Sequence, residues 1–202
     1  MYKLLLPCYN NINQLKEEYS HMERYIKLYT DVIEPEVCDG MIEMFNNNPD
    51  QTVHRDNALM DFSEINLIEH DETWSQYNKY LSYQFRKVLE QYKVECDIKT
   101  PNQWPEKYEF EQYRMKQYEP NIGRFDQHVD VGNFSTARRF LVLIAYLDSG
   151  ESGTTSFDSL GIDIPRTRGS VLVFPPHWTY PHAGTTPVGE RKHIVGTYLH
   201  YV

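Results

Sequence analysis

The sequence predicts a mainly β fold, a sandwich or barrel, with α-helices from the N-terminal half packed against it. Three observations lead there. Apolar residues at helical spacing are confined to the first half of the chain. After Pro105, short runs rich in β-formers recur at roughly 8–12-residue spacing, divided by Gly, Pro, Asp and Ser. Helical and strand patterns are not interleaved as a parallel α/β sheet would require.

In chain order, PEVCDGMIEMFNN (Pro35–Asn47) places Val37, Met41, Met44 and Phe45 at helical spacing, and Asn46-Asn47-Asn48-Pro49 stops it. A longer helix is expected over 72–94. Its stripe is Trp74, Tyr77, Leu81, Phe85, Val88, Leu89 and Tyr92, with Asp71 or Thr73 as the cap. These aromatics read as core packing. Residues 108–118 (YEFEQYRMKQY) alternate broadly, and 139–147 (RFLVLIAYL) form a buried strand. Further short strands are expected over 153–157, 162–164, 170–174 and 193–201. There is no repeat, low-complexity stretch or flexible linker. Helices and β core share one packing surface, so a single domain 1–202 is expected, with a helical part about 1–105 and the β core about 106–202.

The 202 residues suit one domain, and 40% hydrophobic content supplies a core; 16 Tyr point to amphipathic edges rather than a greasy interior. A formal charge of −9 argues against nucleic acid or an anionic membrane as partner and suits a cationic or neutral substrate. Cys8, Cys38 and Cys96 have no paired spacing and an odd total, which argues against a disulfide framework or thiolate zinc site and fits a reducing compartment. The start, MYKLLLPCYNN, is too short for a signal-peptide core, and no run approaches the ~20 apolar residues of a membrane span. A soluble cytoplasmic protein is expected. Nothing in the sequence indicates the oligomeric state.

The chemistry begins with His128-Val129-Asp130. Residues two apart on a strand share a face, so this imidazole and carboxylate can reach one point. His182 lies downstream, after Phe174-Pro175-Pro176, where the chain returns toward the core. Two His and one carboxylate that leave one side of a metal open suit iron(II) and oxygen chemistry. His-x-Asp alone is weak evidence in a chain with eight His. The surroundings strengthen it. Lys192 stands ten residues past His182, where a cation can pair with the far end of a dicarboxylate whose near end chelates the metal.

From about 108 to 201 the chain resembles the iron(II)/2-oxoglutarate oxygenases of the prolyl 4-hydroxylase-like superfamily. The matching elements occur in order. Tyr118-x-Pro120 and Gly123 precede His128-x-Asp130, Tyr146-Leu147-Asp148 closes a strand, and SGTTSF makes a Gly-Thr turn. IDIPRTRGSVLVFPP then leads to His182, followed by Lys192; the N-terminal DVIEPEVCDGMIEMFNN is similar to the helix that opens such domains. Two departures stand out. Thr154 replaces the acidic residue of the family's Gly-Gly-Glu-Thr turn. Arg191 sits beside Lys192, and some relatives use Arg at the ninth residue after the distal His. Adjacent strand residues face opposite ways, so only one can enter the barrel, and the alignment of KHIVGTYLH favours Lys192.

The resemblance implies a double-stranded β-helix, or jelly roll, with Fe(II) held at one mouth by His128, Asp130 and His182. It implies 2-oxoglutarate and O2 as co-substrates, with ascorbate as a further candidate cofactor. Lys192 and Tyr146 would hold the distal carboxylate, and Tyr118 would lie close to the co-substrate. Thr155 would line the pocket or serve the turn. The implied reaction is hydroxylation of a C–H bond, of a prolyl residue in a peptide or protein, with succinate and CO2 as co-products. Relatives act on other side chains, free amino acids and small molecules, so these alternatives stay open. The loop 131–138 (VGNFSTAR) reads as a lid or an ordinary connection. His177 reads as a turn or rim residue, and His193 and His200 as packing or surface. Trp178 and Arg124 are candidates for the substrate mouth, and Trp178 equally for a cap on the core. Two other classes remain: a metal-dependent jelly-roll isomerase or hydrolase, and a non-catalytic β-sandwich binding module. Neither would need Lys192.

Overall fold

Strand alternation divides the apolar residues into two cores, and this division builds the site. The computed structural model describes residues 22–99 and 101–202. Cys8 and the apolar start, read above for compartment and leader, lie outside the described residues. The elements are β1 (Lys27–Tyr29), α1 (Pro35–Asn47), β2 (Val53–Asp56), β3 (Met60–Asn66), α2 (Asp71–Glu95), β4 (Tyr108–Phe110), β5 (Arg114–Tyr118) and β6 (Arg124–His128). They continue as β7 (Arg139–Tyr146), β8 (Gly150–Phe157), β9 (Ile162–Arg166), β10 (Val171–Phe174), β11 (His182–Gly184) and β12 (Lys192–Tyr201).

All the described pairings are antiparallel, in the order β1-β10-β7-β12-β5-β3-β6-β11-β8-β9, with β2 on β3 and β4 on β12. Strand β3 turns the corner: its start pairs with β6 and its remainder with β5. The result is a jelly roll. On β7, Leu141, Leu143 and Ala145 face the helices, while Val142 and Tyr146 face inward. Strand β10 repeats the pattern with Val171 and Val173 outward, Leu172 and Phe174 inward. Period-2 alternation with both faces apolar is what a strand between two packed layers needs.

The helices cover the outer face. From α1, Cys38, Met41 and Phe45 are buried; from α2, Trp74, Leu81, Phe85, Val88, Leu89 and Tyr92. Both helices stand where the spacing predicts. The expected cap does not: His70 occupies the N-cap position of α2 with no side-chain hydrogen bond, while Asp71 accepts from Asn78 Nδ2 at 2.8 Å and Thr73 from Gln51 Nε2 at 3.0 Å. Strands β1, β2 and β3 are additions to the sequence reading, which placed His128 on a strand without giving its bounds. Strand β1 has three residues, and β2 is exposed throughout, so neither carries a buried alternation to read. Among the described residues, Cys38 and Cys96 are free, buried thiols, and no helix is long and apolar enough to cross a membrane.

Candidate active site

His128 ends β6 and His182 begins β11, and the two are direct partners in the antiparallel ladder. Asp130 lies just beyond the end of β6 rather than within it, so the shared strand face expected for His128 and Asp130 is not what aligns them. The chain bends after His128, and the Asp130 N–H donates to the Pro176 carbonyl at 3.1 Å, tying the carboxylate to the loop that leads into β11. The three side chains still converge: one ligand atom from each lies within 4.8 Å of the others.

The hydrogen bonds leave the atoms a metal needs. His128 Nδ1 lies 2.8 Å from the Asp126 carbonyl and His182 Nδ1 3.1 Å from that of Tyr180. A carbonyl only accepts, so each Nδ1 carries the proton and each Nε2 keeps a free lone pair. Tyr198 donates to Asp130 Oδ1 at 2.7 Å, whereas the buried Oδ2 has no hydrogen-bond partner among the described residues. A buried carboxylate oxygen left without a partner calls for a cation. Burial would raise the Asp130 pKa, but His128, His182 and the Tyr198 hydroxyl hold it at about 2. Burial pushes His182 down to about 4, keeping its imidazole neutral despite the nearby carboxylate. Phe125 stacks on His128 with centroids 3.5 Å apart, and Phe174 meets His182 edge-on at 4.7 Å. The donor set therefore fits a divalent metal.

The same cavity is lined by Tyr118, Thr155, Gly184 and Lys192. Lys192 is 1% exposed; its Nζ donates to the Thr154 carbonyl at 3.2 Å and lies 5.0 Å from the Tyr118 ring centroid. Gly153, at φ 73° within β8, supplies the irregularity that precedes this carbonyl, a backbone conformation glycine adopts without strain. Burial lowers Lys192 to about 7, Arg166 adding to the effect and Asp148 opposing it. Arg191 points outward, half exposed, and pairs with Glu119 at 3.0 Å. Tyr146 Oη and Thr155 Oγ1 are 2.6 Å apart, and burial raises the phenol, so it remains protonated.

No protein-family model matches the sequence, and no curated protein matches it. Solved structures do match in shape. The viral collagen prolyl hydroxylase of Paramecium Bursaria Chlorella virus-1, a 2OG complex, superposes with a TM-score of 0.64 at 19% identity, covering 88% of this chain and 97% of that one. A Pseudomonas putida prolyl-4-hydroxylase gives 0.65 at 14% identity, over 88% and 93%. A Trichoplax adhaerens prolyl hydroxylase, in complex with a hypoxia inducible factor oxygen degradation domain peptide fragment, gives 0.67 at 11% identity, over 96% and 94%. The fold is that of the prolyl hydroxylases.

Within that prolyl hydroxylase fold the remaining histidines divide cleanly. His193 is buried between Asp148, 2.8 Å from Nδ1, and Gln117, 3.0 Å from Nε2, behind Lys192. His200 faces Glu111 at 3.5 Å. Trp178 is 80% exposed and does not cap the core; Phe134, in the 131–138 segment, is 98% exposed. That segment carries a short 3-10 turn, Phe134–Thr136, capped by Asn133.

Three residues of the site were missed in the sequence: Tyr198, Arg139 and Lys116. Arg139 donates to the Asp130 carbonyl at 3.2 Å, stacks on Tyr198 at 3.9 Å, and is held by Glu111 at 2.8 and 3.0 Å. The signal for the other two was period-2 alternation: Tyr198 shares a strand face with Lys192, and Lys116 with Tyr118.

Proposed function

We propose that the chain is an Fe(II)- and 2-oxoglutarate-dependent oxygenase that hydroxylates a C–H bond, with a prolyl residue of a peptide or protein as its substrate. One observation carries the reading: two lone-pair-bearing imidazoles and an orphaned carboxylate oxygen share a cavity with a buried lysine that has no carboxylate within ion-pair distance among the described residues. In this reading His128, Asp130 and His182 hold the iron, which with 2-oxoglutarate and O2 supplies an oxidant able to cleave an unactivated C–H bond.

The protein's own part is placement. Lys192 provides the positive charge for the far carboxylate, and its partial neutralisation in the free protein limits the cost of keeping it buried. The Tyr146 hydroxyl, already paired with Thr155, can turn to donate to the same carboxylate, and Tyr118 walls the cavity beside Lys192. Tyr198 and Arg139 fix the Asp130 carboxylate and its backbone, so the ligand is oriented before the metal arrives. Val142, Ile144 and Ile194 complete an apolar wall that excludes water. Thr154, where relatives carry an acid, uses its carbonyl on Lys192 and its hydroxyl on Thr185 at 3.0 Å.

The test is anaerobic titration of iron(II)-loaded protein with 2-oxoglutarate, followed through the weak visible charge-transfer band of the chelate. Wild type should develop the band, and a His128→Ala, Asp130→Ala double variant should not. Folded, iron-loaded protein without a band would sink the proposal and favour the isomerase or binding-module readings.

A further inference from the structure

The cavity is lined by a second cation, the half-buried Lys116, which lies apart from the Lys192 position. Lys116 on β5 pairs in register with Ile194 of β12, two residues from the Tyr118–Lys192 pair, and faces the same interior. Its Nζ lies 4.5 Å from the Phe62 ring centroid and 5.1 Å from that of Phe125. Among the described residues it forms no ion pair and donates no side-chain hydrogen bond. Its cross-strand neighbour Glu64 is already engaged, by Arg55 at 2.9 Å and Arg114 at 3.3 Å. Burial lowers the Lys116 pKa, with Glu64 and Asp130 opposing. An ammonium in such surroundings is costly until an anion joins it.

Position decides which anion. Lys192, Thr155 and His182 line only the inner cavity. Lys116 also lines the adjoining groove, which shares Phe125, His128, Asp130 and Tyr198 with the inner cavity and adds Arg55, Arg114 and Glu64. That groove is positive, with Arg55, Arg114, Lys116 and Arg139 against Glu64 and Asp130, although the whole chain carries −9. There is room beside Lys116 as well: a Cβ added at Gly196, which lines the same cavity, would meet no heavy atom within 4 Å. A dicarboxylate chelating the metal has one free carboxylate, and Lys192 takes it.

We propose that Lys116 recognises a carboxylate that the substrate itself carries near the reacting carbon. Two sources share this chemistry, an acidic side chain beside the hydroxylated proline and the α-carboxylate of a free amino acid. The inference rests on the oxygenase reading above. It also replaces the expectation, drawn from net charge, of a cationic or neutral substrate.

The experiment uses protein loaded with Mn(II) and 2-oxoglutarate and reads binding by fluorescence anisotropy. The probes are two end-blocked, labelled peptides that differ only in Glu or Gln beside proline, with unlabelled L-proline and L-prolinamide as competitors. Wild type should prefer the Glu peptide by roughly 10- to 100-fold, the range of a charge-assisted hydrogen bond. Lys116→Met, which keeps the length and exchanges the charge for a thioether suited to two aromatic neighbours, should bring the two peptides to equal affinity. Lys116→Glu should turn the preference toward a Lys-containing peptide. Competition by L-proline but not L-prolinamide, with the peptides equal, would identify the α-carboxylate as the source. Equal binding across both pairs in wild type overturns the proposal. So does loss of 2-oxoglutarate binding in Lys116→Met with retention in Lys192→Met, which would make Lys116 the co-substrate residue. A wild type that binds no 2-oxoglutarate overturns the oxygenase reading, and this inference with it.

Discussion

Tyr198 donates its hydroxyl to one oxygen of Asp130 at 2.7 Å and leaves the other oxygen bare. Burial and the adjacent carboxylate raise the Tyr198 pKa well above its ordinary value, so the phenol remains a donor. The consequence is a carboxylate locked in rotation, its unpaired oxygen 3.4 Å from His182 Nε2 and its Tyr198-bonded oxygen 3.6 Å from His128 Nε2.

Tyr198→Phe removes that lock without removing a ligand. Metal affinity should fall by about 10- to 100-fold, the usual cost of losing an outer hydrogen bond to a ligand. Competition with a fluorescent chelator measures it. Unchanged affinity in the folded variant would show that packing alone orients Asp130.

Lys192→Met should leave metal affinity intact and weaken 2-oxoglutarate binding by about 100-fold, since a buried charge pair loses one member. The wild type should also show a pH signature. With Lys192 near 7, shaped by burial and the charges of Arg166, Asp148 and Lys116, the free cavity loses its ammonium as pH rises through neutrality. An anion binds the protonated form, so affinity should decline above about pH 7. Stability of the unliganded protein should move the other way: between about 7 and the ordinary lysine value of 10.5 the unfolded chain holds more protons, so folding gains as pH rises across that window. Calorimetric titrations at about pH 6 and about pH 9 that give equal affinity would refute the assignment.

Arg166 is 1% exposed and binds Asp148 at 2.7 Å, Glu190 at 2.8 Å and the carbonyls of Ser152 and Arg191 at 2.9 and 2.7 Å. Arg166→Met should cost about 3–5 kcal/mol in urea unfolding, because the partners lose a shared donor in a buried network. A loss under about 1 kcal/mol would mean that water replaces the guanidinium.

Phe134 and Trp178 stand exposed on the two loops that the Pro176 carbonyl joins through Asp130 and Val131. Phe134→Ala and Trp178→Ala should leave the melting temperature and the 2-oxoglutarate complex unchanged and raise KM for a peptide substrate several-fold. Substitutions without effect on KM would place the substrate elsewhere.

How much of this was legible in the sequence depends on the burial of each element. Helix α2 was readable because Trp74, Leu81, Phe85 and Val88 fall on one buried stripe. Strands β7 and β10 were readable because both their faces are apolar. The extent of β6 was not, because its residues are half-buried or exposed and mostly polar. The three metal-ligand candidates were legible through their order and flanking motif. Lys116 was not, since a lone lysine in an alternating segment reads as a solvated face until the partner strands show which way it points.

The pairing of His128 with His182 across β6 and β11 has a mechanical meaning. These strands join segments far apart in the chain, and Asp130 is tied to the same seam through Pro176. An ion held there is a clasp between β6 and β11, and occupancy and the integrity of that pairing become one quantity. Metal loading should therefore slow amide exchange along β6 and β11 while hardly altering α2. In the oxygenase reading, loss of the metal would loosen this seam as well as remove the reactive centre.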